Sequence, residues 1–441
     1  MNWVRSLGVV VLMASVVMDT SRGQPGVRDA VTASPIAGVQ KQIANLAAMP
    51  SLHTAFDWFR SNARQLSEWQ LELTSIPAPP FSEAKRAEWL KGKFQQLGLK
   101  DVHIDQEGNV LGLWSGENPA AKHVLLSAHL DTVFPPGTHL PVRREGEKLI
   151  GPGISDNGAG LTAILAIAAA LRNAQIETEA PILFVANVGE EGEGDLRGIR
   201  YLFNDSKWSE SIGYAVILDG GGSDSIVAEG LGSRRFLVSV NGPGGHSWSD
   251  FGTPNPIMVL ARAIDTFSRT PVPANPKATF NIGTISGGTS VNSIPESASI
   301  KVDIRSSSPA ELERIERSLT AALEQAILPF RPDGKGADKK PVITYDMNLI
   351  GNRPAAKLDP DAHILEVVRA VDSHLRIPTR IQRASTDANI PLSMGREAVT
   401  LGGGGTGGGA HTLHEWYDPT DRDLGLRRIL LSVLALAGVA Q

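Results

Sequence analysis

The chain has 441 residues, no cysteine, 41% hydrophobic and 20% charged residues, and a formal net charge of −5 at pH 7. The lack of cysteine excludes disulfides and thiolate metal ligands, and the mixture of both charge signs gives no basic stripe for nucleic acid or an anionic membrane surface. The length predicts two domains, and a small peptide or metabolite fits this composition better as a ligand.

The first 23 residues have the layout of a secretory signal, so we expect export to the periplasm or out of the cell. Arg5 precedes an apolar stretch at 7–18, and residues 21–23 loosely resemble a small-residue cleavage site. The alternative is a disordered tail. The stretch is shorter than the roughly 20 residues that span a bilayer, and no later segment is long enough, so we expect no stable membrane insertion. Residues 24–54 lack strong periodicity and are predicted to be a linker with a short helix at most.

From residue 55 onward, helical and strand patterns alternate, which predicts an α/β layer structure. After about Ser233 the order becomes β-α-β-β-α-β, the split unit of a ferredoxin-like domain. Two residues of types that can bind a metal ion, Asp219 and His411, lie on either side of this insert. We therefore predict an inserted domain at 233–350 and a discontinuous catalytic domain formed by 55–232 and 351–441.

Three apolar runs of the predicted catalytic domain end on side chains that bind metals. Open α/β sheets hold ligands at the carboxyl ends of their strands, so these side chains are expected on one rim, where they suit one or two divalent ions. A turn before a helix and a glycine-rich loop add one candidate each. The candidates are His129, Asp131, Asp156, Glu190, Glu191, Asp219 and His411.

The pairs His129–Asp131 and Glu190–Glu191 each allow a functional and a purely structural interpretation from the local sequence. His129 and Asp131 face the same side of an extended segment, so one can bind metal while the other holds the second imidazole nitrogen, or they can form a surface pair. The adjacent carboxylates of Glu190 and Glu191 repel each other unless a bound cation or a proton offsets one of the two charges. One would then bind metal and the other accept a proton, and the alternative is an acidic turn.

The next two candidates lie in turns and loops. Asp156 precedes an apolar helix, where Asp156 or Asn157 can act as the helix cap, or Asp156 can bridge two metals. The glycine-rich run from Leu401 to His411 lacks the ending of a Walker loop and the context of a dinucleotide fingerprint. Its glycines permit unusual backbone angles and close approach, which suits a loop that carries His411 to a site, whereas a flexible linker is the alternative.

Two small-residue turns of the insert display His246 and Asn292, which by default are incidental polar residues of a turn. Asp303 and Arg305 lie in a predicted strand and by default form a surface ion pair.

Together these motifs resemble the M20 family of metallopeptidases, from about Trp69 to the end of the chain. The motifs that carry the resemblance are SIPAPPFSEAKRAEWL, SAHLDTV, the Asp156 turn, GEEGEGDLRG, ILDGG, GPGGHS, GGTSVNSIP, STDAN and AHTLHEW. The resemblance implies a zinc-exopeptidase-like catalytic domain with a central mixed sheet and an inserted ferredoxin-like lid and dimerisation domain.

The resemblance also implies roles for single residues. His129 and Asp219 would bind one zinc ion, Glu191 and His411 the other, and Asp156 would bridge them. The family pattern of a ligand histidine four residues before a glutamate, here Glu415, selects His411 over His414. Asp131 would support His129, and Glu190 would be the general base that takes a proton from the activated water. His246 and Asn292 would reach across a homodimer to the substrate, and Arg305 and Arg353 would grip a substrate carboxylate.

We therefore expect an exported dizinc exopeptidase that acts on short peptides from the amino end, as in the tripeptidase-like branch. Co²⁺ or Mn²⁺ can serve similar nitrogen and oxygen ligands. The alternative within the same chemistry is an N-acyl-amino-acid deacylase or carboxypeptidase, and a different class is a non-catalytic peptide-binding protein. One departure from the family pattern is that Gly-Ala-Gly follows Asn157 where Lys-Gly is more usual, which affects the subfamily and leaves the metal ligands unchanged.

Overall fold

The structure, a computed structural model, describes residues 35–138, 141–330 and 343–440. The predicted export signal, residues 1–23, lies outside the described residues. The helices are α1 (Pro35–Ala47), α2 (Pro50–Ser61), α3 (Ala63–Thr74), α4 (Ala84–Gln96), α5 (Gly158–Asn173), α6 (Arg197–Asn204), α7 (Pro256–Ser268), α8 (Pro309–Ile327), α9 (His363–Leu375), α10 (Asn389–Ser393) and α11 (Arg422–Ala437). Short 3₁₀ helices occupy Gly192–Gly194 and Leu328–Phe330.

The strands form a large mixed sheet, a four-stranded antiparallel sheet and two small sheets. They are β1 (Lys100–Ile104), β2 (Val110–Trp114), β3 (His123–His129), β4 (Arg143–Glu145), β5 (Lys148–Ile150), β6 (Ile182–Asn187), β7 (Ile212–Leu218), β8 (Ser225–Gly230), β9 (Gly232–Asn241), β10 (Gly245–His246), β11 (Ala278–Gly287), β12 (Ser293–Ile294), β13 (Ser297–Ser306), β14 (Thr344–Arg353), β15 (Ala356–Lys357), β16 (Arg380–Ala384), β17 (Glu397–Leu401), β18 (Thr406–Gly408) and β19 (Trp416–Asp418).

The large sheet has the strand order β1-β2-β6-β3-β7-β17-β8-β15, with β16 paired to β8. Its central strands β6, β3, β7 and β17 run parallel, and β2 joins antiparallel. All side chains of β3 and β6 are buried, which explains their uninterrupted apolar runs. Helices α5 and α11 pack against β3 and against each other. The central mixed sheet predicted from the sequence is confirmed.

The second main sheet has the order β11-β13-β9-β14, with every neighbouring pair antiparallel. Helices α7 and α8 pack on this sheet, and together they bury a hydrophobic core separate from the main one. The chain order of the four strands and two helices is β-α-β-β-α-β, so the ferredoxin-like prediction is confirmed. The short strands β10 and β12 pair outside this sheet.

The linker predicted over residues 24–54 is wrong from residue 35 onward, because this part forms α1 and the start of α2. Val39, Ile43 and Leu46 recur at helical spacing and are buried in the main core. The Gln42 side-chain amide donates to the carbonyl of Ala435 at 3.0 Å, which ties α1 to α11. Among the described helices, none combines the length and apolar composition that a membrane crossing requires.

Candidate metal centre

The parallel strands β3, β6 and β7 end side by side and bring the predicted ligands to one edge of the sheet. His129 is the last residue of β3 and is in register with Asn187, the last residue of β6. Asp219 directly follows β7, and Glu190 and Glu191 lie three and four residues beyond β6. The common direction of the strands therefore gathers residues that are up to 90 positions apart in the sequence.

The buried His129 ring stands between Asp131 on one side and two further carboxylates on the other. Its Nδ1 lies 3.1 Å from the backbone oxygen of Asp131 and 3.6 Å from Oδ1 of the same residue. Its Nε2 lies 3.1 Å from Oδ1 of Asp156 and 3.7 Å from Oδ1 of Asp219. Burial alone lowers the pKa of His129, but the three carboxylates outweigh it and raise this pKa well above its usual value.

His411 approaches Asp156 from the opposite side. Its Nε2 lies 3.2 Å from Oδ2 of Asp156 and 3.1 Å from Oε1 of Glu191. Hydrogen bonds to Asp156 and Glu191 raise the pKa of His411 to about 10. Burial raises the pKa of Asp156, but its bonds to His129 and His411 prevail and hold that pKa well below the usual range. Asp156 thus offers one oxygen to each histidine.

The donor atoms fit two divalent cations. One set, with all ligand atoms within 4.8 Å of one another, is His129, Asp156 and Asp219, and a second is Asp156, Glu191 and His411. Imidazole nitrogens and carboxylate oxygens are the donors that zinc uses in catalytic sites. Asp156 belongs to both sets and presents Oδ1 toward His129 and Oδ2 toward His411. Glu190 also lies within 4.8 Å of His129 and Glu191.

Asp131 connects the two halves of this edge. Its Oδ1 accepts a hydrogen bond from the backbone N–H of Glu190 at 3.0 Å, and its Oδ2 accepts one from Glu191 at 2.7 Å. Burial alone raises the pKa of Asp131, but the His129 ring and these N–H groups hold it below its usual value. The carboxylate therefore stays ionised and fixes the Glu190–Glu191 backbone, while the backbone oxygen of Asp131 fixes the His129 ring.

Glu190 is buried and paired with Arg353, the last residue of β14. Arg353 donates through Nη1 to Oε1 of Glu190 at 2.8 Å and to Oγ of Ser385 at 3.1 Å, and through Nη2 to the backbone oxygen of Glu190. Burial raises the pKa of Glu190 well above its usual value, Arg353 opposes this shift, and Glu191 adds to it. The second sheet thus supplies a buried cation to the metal-binding edge.

The turn that carries Asp156 is shaped by its neighbour. Asn157, not Asp156, caps α5, because its Oδ1 accepts from the N–H of Gly160 at 3.1 Å. Its Nδ2 donates to the carbonyl of Leu218 at 2.9 Å, which ties the turn to the end of β7. Asn157 therefore takes the role of helix cap, and the side chain of Asp156 faces His129 and His411.

Glu415 contacts the same turn from the other side, a role that was not predicted from the sequence, where Glu415 served only to select His411. Its Oε1 accepts from the N–H groups of Ser155 and Asp156, both at 2.7 Å, and its Oε2 from Gly153 at 2.8 Å. Burial raises the pKa of Glu415 to about 7, while these N–H groups lower it. The side chain joins the His411 loop to the Asp156 turn.

The glycine-rich run before His411 is packed tightly and is not a flexible linker. A Cβ at Gly403 would lie 2.7 Å from the carbonyl oxygen of Ala159, and one at Gly407 would overlap Oγ of Ser155. His411 itself has φ of 66°, in the left-handed region. The absence of side chains lets this loop lie directly on the Asp156 turn and the start of α5.

Asp387, in the STDAN motif, is a further buried carboxylate that the site prediction missed. Its Oδ2 accepts from the side-chain amide of Asn187 at 2.7 Å, whose Oδ1 in turn accepts from Ser127. Its Oδ1 has no hydrogen-bond partner among the described residues. Burial raises the pKa of Asp387 to about 7.

His246 and Asn292 lie on an exposed part of the inserted unit, at β10 and next to β12. Nδ1 of His246 accepts from the backbone N–H groups of Trp248 and Ser249 at 3.2 and 3.4 Å, so in the neutral ring the proton is on Nε2. Within the described ranges, neither residue is hydrogen-bonded to the metal-binding edge. Arg305 is half-exposed and its Nε lies 2.7 Å from Oδ2 of Asp303, so these two residues form the surface ion pair expected from the sequence.

The sequence model of peptidase family M20/M25/M40 matches residues 125–434. Among curated proteins, YqjE of Bacillus subtilis (strain 168) is 26% identical over 356 residues, which cover 77% of this chain and 90% of that protein. Carboxypeptidase G2 of Pseudomonas sp. (strain RS-16) is 25% identical over 275 residues, 59% of this chain and 62% of that protein. A solved tripeptidase structure from Staphylococcus aureus shares the fold, with a TM-score of 0.66, 22% identity and coverage of 85% of this chain and 99% of that one.

Proposed function

The chain belongs to peptidase family M20/M25/M40 and is a metal-dependent hydrolase, and we propose that it is a dizinc exopeptidase that hydrolyses short peptides from their amino end. The observation that carries this proposal is the position of Asp156, which offers Oδ1 to His129 and Oδ2 to His411 at 3.1 and 3.2 Å. A carboxylate with one oxygen toward each of two ligand sets suits a pair of ions.

We assign His129 and Asp219 to one ion, Glu191 and His411 to the other, and Asp156 to both. The ions, when bound, supply Lewis acidity toward a water molecule and toward the scissile carbonyl. Asp131 holds the His129 ring at Nδ1, through its backbone oxygen at 3.1 Å and the charge of its carboxylate at 3.6 Å, so that Nε2 faces Asp156 and Asp219.

Glu190 acts as the general base in this proposal. Its Oε1 is held by Arg353, which leaves Oε2 to accept the proton of the attacking water and to deliver it to the leaving amine. The raised pKa of Glu190, caused by burial, favours holding that proton between the two steps. The backbone of Glu190 is fixed by Asp131, so the carboxyl group keeps its position during the transfer.

We further propose a homodimer formed through the inserted domain, in which His246 and Asn292 of one copy reach the site of the other. The exposed Nε2–H of His246 is a hydrogen-bond donor suited to the oxyanion that develops on the substrate carbonyl. Trp248, Phe251 and Val291 are strongly exposed next to these two residues, which supports burial of this surface in an assembly. The two separate hydrophobic cores support domains at 55–232 with 351–441 and at 233–350.

A second candidate function is a carboxypeptidase or N-acyl-amino-acid deacylase. The observation that favours it is Arg353, a buried guanidinium at Glu190 that suits a substrate carboxylate close to the scissile bond. Arg305 is a weaker candidate for this role because it forms a half-exposed surface pair with Asp303, whereas Nε of the buried Arg353 has no hydrogen-bond partner among the described residues. A non-catalytic peptide-binding protein fits less well, since the complete donor set and Glu190 are both present.

Product analysis by mass spectrometry tests the proposal. The purified protein, supplied with Zn²⁺ or Co²⁺, is incubated with free tripeptides, with the same peptides blocked at either end, and with N-acetyl amino acids. Release of the first residue, abolished by an amino-terminal block, supports the aminopeptidase. Cleavage of blocked peptides or N-acetyl amino acids supports the second candidate, and the absence of any hydrolysis in the metal-loaded protein contradicts both.

Export remains a proposal that rests on residues 1–23. Expression of the full chain in a bacterial host, followed by cell fractionation and amino-terminal sequencing, tests it. Processing near residue 23 and recovery outside the cytoplasm support export, whereas an intact amino terminus in the cytoplasmic fraction contradicts it.

A further inference from the structure

Arg86, on the first turn of α4, is fully buried and makes no hydrogen bond to a carboxylate within the described part of the chain. Its guanidinium donates only to backbone carbonyls: Nε and Nη2 to Ile76 at 3.0 and 2.5 Å, Nη1 to Leu130 at 2.7 Å, and Nη2 more weakly to Thr74. Burial of a charge without a directly bonded counter-ion is costly, so this arrangement needs a physical reason.

Leu130 lies between His129 and Asp131, so the hydrogen bond from Arg86 fixes the backbone at the centre of the turn His129–Asp131. The N–H of Leu130 donates to the carbonyl of Asn187 at 2.7 Å, and the N–H of Thr132 donates to the carbonyl of Ala78 at 2.9 Å. Arg86 adds the remaining constraint by fixing the carbonyl oxygen of Leu130. The turn is thereby held on one side by β6 and on the other by the segment that leads into α4.

The charge of Arg86 also acts on this turn. Asp131 is buried without a guanidinium or ammonium group bonded to it in the described ranges, and the electrostatic attraction between Asp131 and Arg86 is favourable. The second carboxylate that attracts Arg86, Glu83, is itself bonded to Arg197 at 2.9 Å through both of its oxygens. Arg86 therefore contributes to balancing the charge of Asp131, and Asp131 in turn sets the orientation of the His129 ring.

We propose that Arg86 is a positioning residue of the metal centre, which orients the His129 ring by fixing the Leu130 carbonyl and balancing the charge of Asp131. This inference rests on the proposed function in one respect, namely that His129 binds a metal ion. Helix α4 would then contribute to metal binding through Arg86, although none of its side chains is a proposed metal ligand.

The test compares Arg86→Lys and Arg86→Gln with matched changes at Arg428. Arg428 is also fully buried, but it lies on α11 and bonds both oxygens of Asp372. Lysine keeps the charge but cannot reproduce the planar set of donors, and glutamine keeps an amide donor but loses the charge. Co²⁺ is titrated into each full-length variant, with the visible absorption spectrum and the binding constant as readouts, and the stability of the metal-free form is measured by thermal unfolding.

We expect the variants at both positions to lose stability, but only those at Arg86 to change the Co²⁺ spectrum and to weaken Co²⁺ binding, by roughly tenfold to a hundredfold as for other groups that orient metal ligands. Native affinity and spectrum in a folded Arg86 variant would overturn the proposal. Failure of both Arg86 variants to fold, while the Arg428 variants fold, would also overturn it, because Arg86 would then be a general determinant of folding.

A failure of the proposed function is visible separately. It would appear in the protein with native Arg86, as Co²⁺ binding that His129→Ala leaves unchanged. The inference about Arg86 would then be overturned together with the metal role of His129.

Discussion

The guanidinium Nη1 of Arg353 lies 2.8 Å from Oε1 of Glu190, and both side chains are almost completely buried, at 6% exposure each. Arg353 ends β14 of the inserted sheet, whereas Glu190 follows β6 of the central sheet. Asn352, the preceding residue, is held by its backbone N–H to Asp195 at 2.8 Å and by its carbonyl to Arg200 at 2.9 Å. The junction between the two sheets is therefore anchored at the proposed base.

Arg353→Met should destabilise the metal-free protein by about 1–3 kcal/mol, because it leaves the buried carboxyl group and the backbone oxygen of Glu190 without their hydrogen-bond donor. Arg305→Met is the matched control, since it removes an arginine from an exposed pair and should cost about 1 kcal/mol at most. Urea unfolding of both variants measures the difference. Equal effects of the two changes would show that the Arg353–Glu190 pair adds no more than a surface ion pair.

Glu190→Gln should abolish turnover and leave the bound metal unchanged, because the amide cannot accept the proton while the ligands remain in place. We expect a loss of at least about 100-fold in kcat, the lower end of the range for general acid–base catalysis. Glu193→Gln is the control, since Glu193 pairs with Lys301 at the surface. Substantial activity of Glu190→Gln would exclude Glu190 as the base.

His411→Ala should lose one equivalent of metal, because it removes a nitrogen ligand from the set formed with Asp156 and Glu191. His414→Ala, three residues away in the same loop, should keep both equivalents. Elemental analysis after dialysis against metal-free buffer measures the content. A loss of metal in His414→Ala with full content in His411→Ala would reverse the assignment.

The stability of the metal-free protein should fall as the pH rises from 7 toward 10. The folded-state pKa of His411, raised to about 10 by Asp156 and Glu191, exceeds its usual value of 6.5. The stabilisation is therefore fully present below pH 6.5 and is lost as the pH rises through about 10. Urea unfolding at several pH values should show a smaller decline in His411→Ala, and an identical decline in both proteins would contradict the raised pKa.

Gly403→Ala should destabilise the protein by about 1–3 kcal/mol, because its Cβ would lie 2.7 Å from the carbonyl oxygen of Ala159 and the loop cannot retreat without a backbone shift. Gly92→Ala is the control, since a Cβ at this position in α4 meets nothing within 4 Å. It should stabilise the helix by up to about 1 kcal/mol. Thermal unfolding measures both changes, and tolerance of alanine at Gly403 would restore the flexible-linker interpretation.

The sequence by itself determined the architecture and the ligand candidates. The apolar runs of β3, β6 and β7 predicted buried parallel strands, because strands covered on both faces need no polar alternation. The polar residues beyond their ends stood out for a related reason, since a carboxylate such as Glu190 close to a buried strand needs a cation or another specific partner. The β-α-β-β-α-β order of the insert also followed from the spacing of its apolar residues, which changes between strand and helix periodicity.

Only the tertiary structure decided which partners these residues have. The sequence could not pair Arg353 with Glu190, or Arg86 with Leu130, because these contacts join positions 163 and 44 residues apart. It could not choose between Asp156 and Asn157 as the helix cap, since both are good caps and the choice depends on the carbonyl of Leu218, which a different strand supplies. The periodicity of apolar residues shows which face of a helix or strand is buried. Ion pairs and hydrogen bonds from side chains to distant backbone carbonyls depend instead on how the helices and strands pack in space.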